Sequence, residues 1–260
     1  MSISVVDDLK GATVLKVNVF LFVMVFVWVF ALSGCANGVA GQPPAGEQEE
    51  QMIMHLSFKP KSIVPLQPQA PDDDWSIAHE QRIGNAAILV YQDESGNSWT
   101  FARYEAKTYM LGGAYPAETM KIQPLESEFG GIKLIGGVGS DLTAWDILGL
   151  DKEGKFITFQ AIGRPEIMDL DGNGTTEIVA SFEGAHLHFP NVEIFKVTHG
   201  QLESAEVTDP SSFPIGEDLP YARFFKDNST SLIMIGKAHK EGAERLYRYE
   251  DGHLLEVSER

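Results

Sequence analysis

Apolar and polar positions divide the chain into three stretches. Residues 17–32, VNVFLFVMVFVWVFAL, are almost wholly apolar. Residues 36–51, ANGVAGQPPAGEQEEQ, offer almost nothing to bury, and 52–74 stay proline-rich (Pro60, Pro65, Pro68, Pro71) as far as Asp72-Asp73-Asp74. From Trp75 onward, short runs of branched and aromatic residues recur: AILVY at 87–91, WTFARY at 99–104, FITFQ at 156–160, EIVASF at 177–182, VEIFKV at 192–197, LIMIG at 232–236 and RLYRY at 245–249. Such runs predict β-strands. Between them stand DESGN (93–97), DKEGK (151–155), THGQ (198–201) and EDGH (250–253), each with the Gly, Asn or Asp that a tight hairpin needs at a positive φ. No segment past Trp75 keeps a helical period. PAETMKIQPLE (116–126) comes nearest, and Pro124 interrupts it.

The turns recur at a period. Gly96, Gly154, Gly200 and Gly252 are spaced 58, 46 and 52 residues apart. A second marker, a small residue shortly before an apolar run, stands at Gly84, Gly130, Gly174 and Asn228, spaced 46, 44 and 54. Two markers with one period predict about four copies of a unit of roughly 50 residues, each a small antiparallel sheet covered by the next. The expected fold is all-β and propeller-like, built from antiparallel four-stranded units, over residues 75–260. An irregular β-sandwich shares the turn spacing and is the alternative. Gly84 and Gly96 are only 12 apart, against 24 to 26 in the later copies, so the first unit is expected to be reduced.

The apolar run near the N-terminus ends in Ser33-Gly34-Cys35, the one cysteine of the chain, so an intrachain disulfide is ruled out. An apolar core closed by small residues is the layout of a secretory signal peptide. Leu32-Ser33-Gly34-Cys35 resembles the lipobox of bacterial lipoproteins. The resemblance implies removal of residues 1–34 and acylation (a palmitate-type lipid) on Cys35. It also implies attachment to the extracytoplasmic face of the cell membrane. Two acyl chains anchor stably, at about 0.8 kcal/mol per buried methylene, where one is marginal. An uncleaved membrane-spanning helix is the alternative, although the run is shorter than the roughly 20 residues a span needs. Asp7 and Asp8 sit poorly before a signal peptide, and translation from Val14 or Leu15 would leave Lys16 as the basic start. Residues 35–74 are expected to form a lipidated tether, because their composition cannot offset its own ordering entropy.

Net charge is -17, and the removed segment carries two acids (Asp7, Asp8) and two bases (Lys10, Lys16), so the mature chain keeps it. Nucleic acid is excluded as a partner, since its phosphates need clustered Lys and Arg. An electrostatic grip on anionic lipid is disfavoured for the same reason.

Asp169-Leu170-Asp171-Gly172-Asn173-Gly174-Thr175-Thr176-Glu177 is the most specific stretch. Oxygen-bearing side chains fall at positions 1, 3, 5 and 9 of this loop, and Thr175 at position 7 can offer its carbonyl. Calcium takes six to eight hard oxygens, which this set suits. An EF-hand would need Glu at position 12, where Ala180 stands, and a helix where Glu177–Phe182 reads as a strand. The pattern instead resembles the calcium loop of FG-GAP (VCBS-type) repeats in integrin-like β-propellers. The resemblance spans about residues 163–182 and implies a calcium ion on Asp169, Asp171, Asn173, Thr175 and Glu177. A plain surface turn is the bland alternative.

Weaker candidates are the alternating pair His186 and His188, and the acidic pairs Glu126/Glu128 and Asp141/Asp146. Trp75, Trp99 and Trp145 lie in strand patterns and are core candidates before they are recognition residues. Nucleophile-elbow, phosphate-loop and HExxH motifs are all missing. The expected function is therefore a non-catalytic binding or scaffolding module at the cell envelope, with a protein or glycan ligand. The alternatives are an envelope hydrolase or lyase acting on polysaccharide, and an accessory subunit.

Overall fold

The computed structural model describes residues 52–111, 119–140, 144–185, 189–209, 219–227, 230–238 and 240–257. The signal segment, Cys35, the tether to residue 51, Asp141, His186, His188 and Asn228 lie outside the described residues.

Three short strands come first: β1 (Ile53–His55), β2 (Lys59–Pro60) and β3 (Val64–Pro65). Sixteen more follow in four consecutive antiparallel meanders. Sheet 1 holds β4 (Ser76–Ile83), β5 (Ala86–Gln92), β6 (Ser98–Tyr104) and β7 (Lys107–Met110). Sheet 2 holds β8 (Met120–Phe129), β9 (Ile132–Ser140), β10 (Ala144–Leu150) and β11 (Phe156–Ile162). Sheet 3 holds β12 (Arg164–Met168), β13 (Glu177–Phe182), β14 (Asn191–Thr198) and β15 (Gln201–Glu206). Sheet 4 holds β16 (Pro220–Asp227), β17 (Thr230–Lys237), β18 (Lys240–Glu250) and β19 (His253–Glu256). The expected all-β class with four-stranded units is what the chain adopts. No sheet closes on itself.

Burial is most complete in the second strands of sheets 1 and 3. Ala86–Val90 of β5 and Ile178–Ala180 of β13 are buried at every position. A strand covered on both faces reads as a continuous apolar run, which is why these segments show no period of two. Proline in the edge strand β8 is accommodated by a register shift between Pro124 and Ser127.

Three cores lie between consecutive sheets. Ile88, Ala102 and Tyr104 of sheet 1 meet Ile135, Val138 and Leu148 of sheet 2. Phe159 and Ile147 of sheet 2 meet Ile178 and Phe195 of sheet 3. Val179 and Ile194 of sheet 3 meet Ile233, Tyr247 and Tyr249 of sheet 4. Each fully buried side chain of this size stabilises the fold by about 1.5–3 kcal/mol. Among the described residues no core cluster joins sheet 4 to sheet 1.

The first unit, expected to be reduced, has a four-stranded meander like the other three, although only the other sheets gain a fifth strand, from β1, β2 or β3. Gly154, Gly200 and Gly252 turn the third strand into the fourth, whereas Gly96 turns β5 into β6, the second into the third. In sheet 1 the matching turn is Glu105-Ala106, which takes positive φ of 48° and 62° without glycine. A turn of non-glycine residues carries no sequence mark.

The packed unit also begins earlier than Trp75. Residues 52–69 form a strap that crosses the outer edge of every sheet in reverse order. β1 pairs with β19, β2 with β15, β3 with β11, and Pro68 bridges to Tyr109 of β7. The N–H groups of Leu56, Lys61 and Leu66 donate to Gly252 (3.1 Å), Leu202 (2.9 Å) and Phe156 (2.9 Å). Five residues thus carry the strap from one sheet to the next, within reach of the roughly 10 Å between stacked sheets. Leu56, Ile63 and Leu66 lodge at the three inter-sheet cores in turn. Open strand edges recruit other chains, and the strap covers all four. Its prolines, which led to the tether expectation, suit an edge that pairs through only one to three residues per sheet.

Candidate metal centre

β12 and β13 of sheet 3 are joined by the loop Asp169–Thr176, and the loop is shaped by its own side chains. Asp169 Oδ1 accepts the N–H groups of Gly172 (2.8 Å) and Asn173 (3.1 Å), and its Oδ2 accepts that of Gly174 (2.9 Å). Asp171 Oδ1 accepts from the Asn173 N–H at 3.1 Å, and Asn173 Oδ1 from Thr175 at 2.6 Å. Gly172 and Gly174 take φ of +75° and +86°. No atom lies within 4 Å of where a Cβ would stand, so backbone conformation alone requires glycine here.

These turns bring carboxylate oxygens of Asp169, Asp171 and Glu177 within 4.8 Å of one another. Asp169 is exposed, Asp171 half-buried and Glu177 only 3% exposed. Glu177 opens β13, and its Oε2 accepts the Leu170 N–H at 3.0 Å. Burial, joined by the charges of Asp171 and Asp169, pushes its carboxyl up from 4.5 to about 7, against the lowering effects of the Leu170 N–H and the Lys196 charge. Among the described residues no Lys, Arg or His forms an ion pair with it. Three carboxylates gathered in this way offer the hard oxygens that divalent cations such as calcium prefer.

The loop also touches sheet 4. Asp171 Oδ2 accepts the N–H of Asp251, in the β18–β19 turn, at 2.9 Å. Asp251 is itself held at a positive φ of 43°. Asp171 and Asn173 on one side and Arg248, Tyr249, Glu250 and Asp251 on the other line an open cleft of about 600 Å³.

Of the five residues expected to bind calcium, the three carboxylates converge. Asn173 lies beside Asp171 on the cleft wall, and Asn173 and Thr175 are exposed. Other acidic turns show what a plain turn looks like. Asp93 Oδ1 accepts the N–H groups of Ser95 and Asn97, and Asp151 Oδ1 those of Glu153 and Lys155. Each of those turns is organised by one aspartate, whereas the loop of sheet 3 gathers three acids around one point.

Of the weaker candidates, Glu126, Glu128 and Asp146 lie among the described residues. Glu126 and Glu128 are exposed on β8, and Asp146 is buried in β10. Trp145 is core, 3% exposed, and lies over Gly137 and Gly139. Trp75 and Trp99 stack at 4.0 Å and stay half-buried on the far face of sheet 1. The pair of half-buried Lys61 with buried Glu193, at 2.7 Å, was not foreseen. Its partners are 132 residues apart, and no local pattern marks them. No family model matches the chain, and no curated protein or solved structure does either.

Proposed function

We propose that the chain is a lipoprotein of the cell envelope whose propeller-like stack of sheets is a calcium-stabilised binding or scaffolding module. Cys35 carries the lipid, and the domain is held at the extracytoplasmic face of the membrane. Asp169, Asp171 and Glu177 hold the calcium with side-chain oxygens, joined by Asn173 and the Thr175 carbonyl, as in the FG-GAP-type loop that the segment resembles. Four consecutive four-stranded meanders, stacked face to face, support the kinship with propeller blades.

The observation that carries the reading is the buried Glu177 facing Asp169 and Asp171 in a loop docked on the next sheet. With the ion bound, the repulsion among three carboxylates becomes attraction, and the Asp171–Asp251 contact is held in place. The metal's role is therefore structural: it stiffens the junction of sheets 3 and 4 and the cleft beside it.

Scanning calorimetry of the protein in calcium and in chelator tests this. Extracellular calcium modules bind at about 10⁻⁴ to 10⁻³ M. A dissociation constant near ~0.1 mM at roughly 1 mM calcium adds about 1.4 kcal/mol, enough to raise Tm by a few degrees. Asp171→Ala abolishes the rise. Identical melting curves in the two conditions overturn the reading and reduce the loop to a turn.

A further inference from the structure

Sheets 1 to 3 each cover one face with the next sheet, and among the described residues no core cluster covers the other face of sheet 4. Ala222, Ile233, Tyr247 and Leu254 turn inward to sheet 3, so their alternating neighbours turn outward. Across that outward face Phe225 stands opposite Leu232, Met234 opposite both Arg223 and Leu246, and Leu255 opposite both Arg248 and Ile53 of the strap. Four of its apolar side chains are strongly exposed: Ile53 (54%), Leu219 (58%), Phe225 (37%) and Val257 (39%). These are four of the nine exposed large hydrophobics among the described residues, so the exposure is densest here. The opposite end of the stack is different, for there Trp75 stacks on Trp99 and packs against the buried Phe101.

Two further observations say what covers the face. The first is charge. Residues 219–257 hold six Lys or Arg and six Asp or Glu, whereas 164–209 hold two and nine, in a chain of net charge -17. Sheet 4 therefore approaches lipid headgroups without the repulsion that sheet 3 would meet. The second is where the chain comes from. Ile53, on this face, lies 18 residues after Cys35. That length reaches at most about 60 Å, so an anchor at Cys35 leaves this face within reach of the bilayer.

We propose that the outward face of sheet 4 rests on the lipid surface to which the chain is anchored. Ile53, Phe225, Leu255 and Val257 enter the headgroup boundary, and Arg223 and Arg248 lay their stems along the apolar rows with their guanidinium groups among the phosphates. The inference rests on the anchored reading above. Intrinsic affinity need only be weak, because two sites joined over so short a reach meet at an effective concentration of order mM. Apolar contact drives the docking, so a zwitterionic surface is sufficient.

The test uses the full chain in phosphatidylcholine vesicles. A nitroxide is placed at Phe225→Cys and, as control, at Ile77→Cys on sheet 1. The accessibility of each to oxygen, which favours lipid, is compared with that to a water-soluble nickel chelate. The expected result is a several-fold higher oxygen-to-nickel ratio at residue 225 than at residue 77. Equal ratios overturn the proposal. Dipolar broadening at residue 225 that grows with the protein-to-lipid ratio also overturns it, because a second copy then covers the face. Thiol titration of the unsubstituted protein separates the two readings. A free Cys35 thiol sinks the lipid anchor, and the measurement repeated in a Cys35→Ser chain, held by the apolar run 17–32, still decides the face.

Discussion

Lys61 of the strap lies 2.7 Å from Glu193 Oε1, while Glu193 Oε2 accepts the Ile162 N–H from the end of sheet 2 at 3.0 Å. One carboxylate, 2% exposed, thus ties the strap to sheets 2 and 3. Lys61 also lies 5.2 Å from the centre of the Phe195 ring, which gives the ammonium a second attraction.

Removing the cation alone is expected to be costly, because it strands a buried charge. Lys61→Met should destabilise the fold by about 3 kcal/mol in denaturant titrations. The double substitution Lys61→Met with Glu193→Leu should cost clearly less than Lys61→Met alone, since no unpaired charge remains. Equal losses in the single and double variants would show that Glu193 is not the group that suffers.

The junction of sheets 1 and 2 depends on a glycine. A Cβ at Gly136 would stand 1.7 Å from Ile83 Cδ1 and 2.8 Å from the Gln123 carbonyl oxygen. Gly136→Ala should lower stability by about 1–3 kcal/mol, the usual cost of overpacking a core. Adding Ile83→Val, which shortens the obstructing side chain, should recover part of that loss, whereas the backbone clash remains. A Gly136→Ala protein as stable as the unsubstituted chain would contradict this packing.

How far the sequence disclosed the molecule depends on the range of the forces involved. The all-β class and its hairpin turns were legible because turn chemistry is local: Gly130, Gly154, Gly174, Gly200 and Gly252 all sit at positive φ where the spacing puts turns. The Glu105-Ala106 turn was not, because a positive φ there is imposed by the flanking strands rather than by glycine. The strap was misread for a related reason. Pro60 and Pro65 weaken any strand taken alone, and their pairing is with Glu203 and Ile157, more than 90 residues away. The acidic loop was the most legible feature, since its oxygens lie within nine consecutive residues. That Glu177 is buried, and that Asp171 reaches Asp251 in the next sheet, required the fold.

The anchor gives a prediction independent of the fold. Cys35→Ser removes the sulfur to which the lipoprotein reading assigns the diacylglycerol. Labelled fatty acid should then no longer enter the protein, and the precursor should no longer be cut before residue 35. A variant acylated and processed like the unsubstituted chain would refute the lipoprotein reading. A mature protein that retains residues 17–34 would point to a membrane-spanning anchor instead.

The acidic loop makes the calcium-free protein sensitive to pH in a direction that Glu177 sets. Below pH 4.5 its carboxyl is protonated whether the chain is folded or not. Between pH 4.5 and about 7 the folded chain keeps a proton that the unfolded chain has released, so stability falls as pH rises. Above about 7 both forms are ionised and the curve flattens. The loss across this window is roughly 3 kcal/mol, from about 1.4 kcal/mol per pH unit. Urea titrations in chelator at a series of pH values should show that decline, and Glu177→Gln should remove most of it. In saturating calcium the decline should vanish or reverse, because the ion binds the ionised carboxylate and competes with the proton. A chelator curve that is flat over this window, or a Glu177→Gln protein that keeps the full decline, would mean that another group governs it.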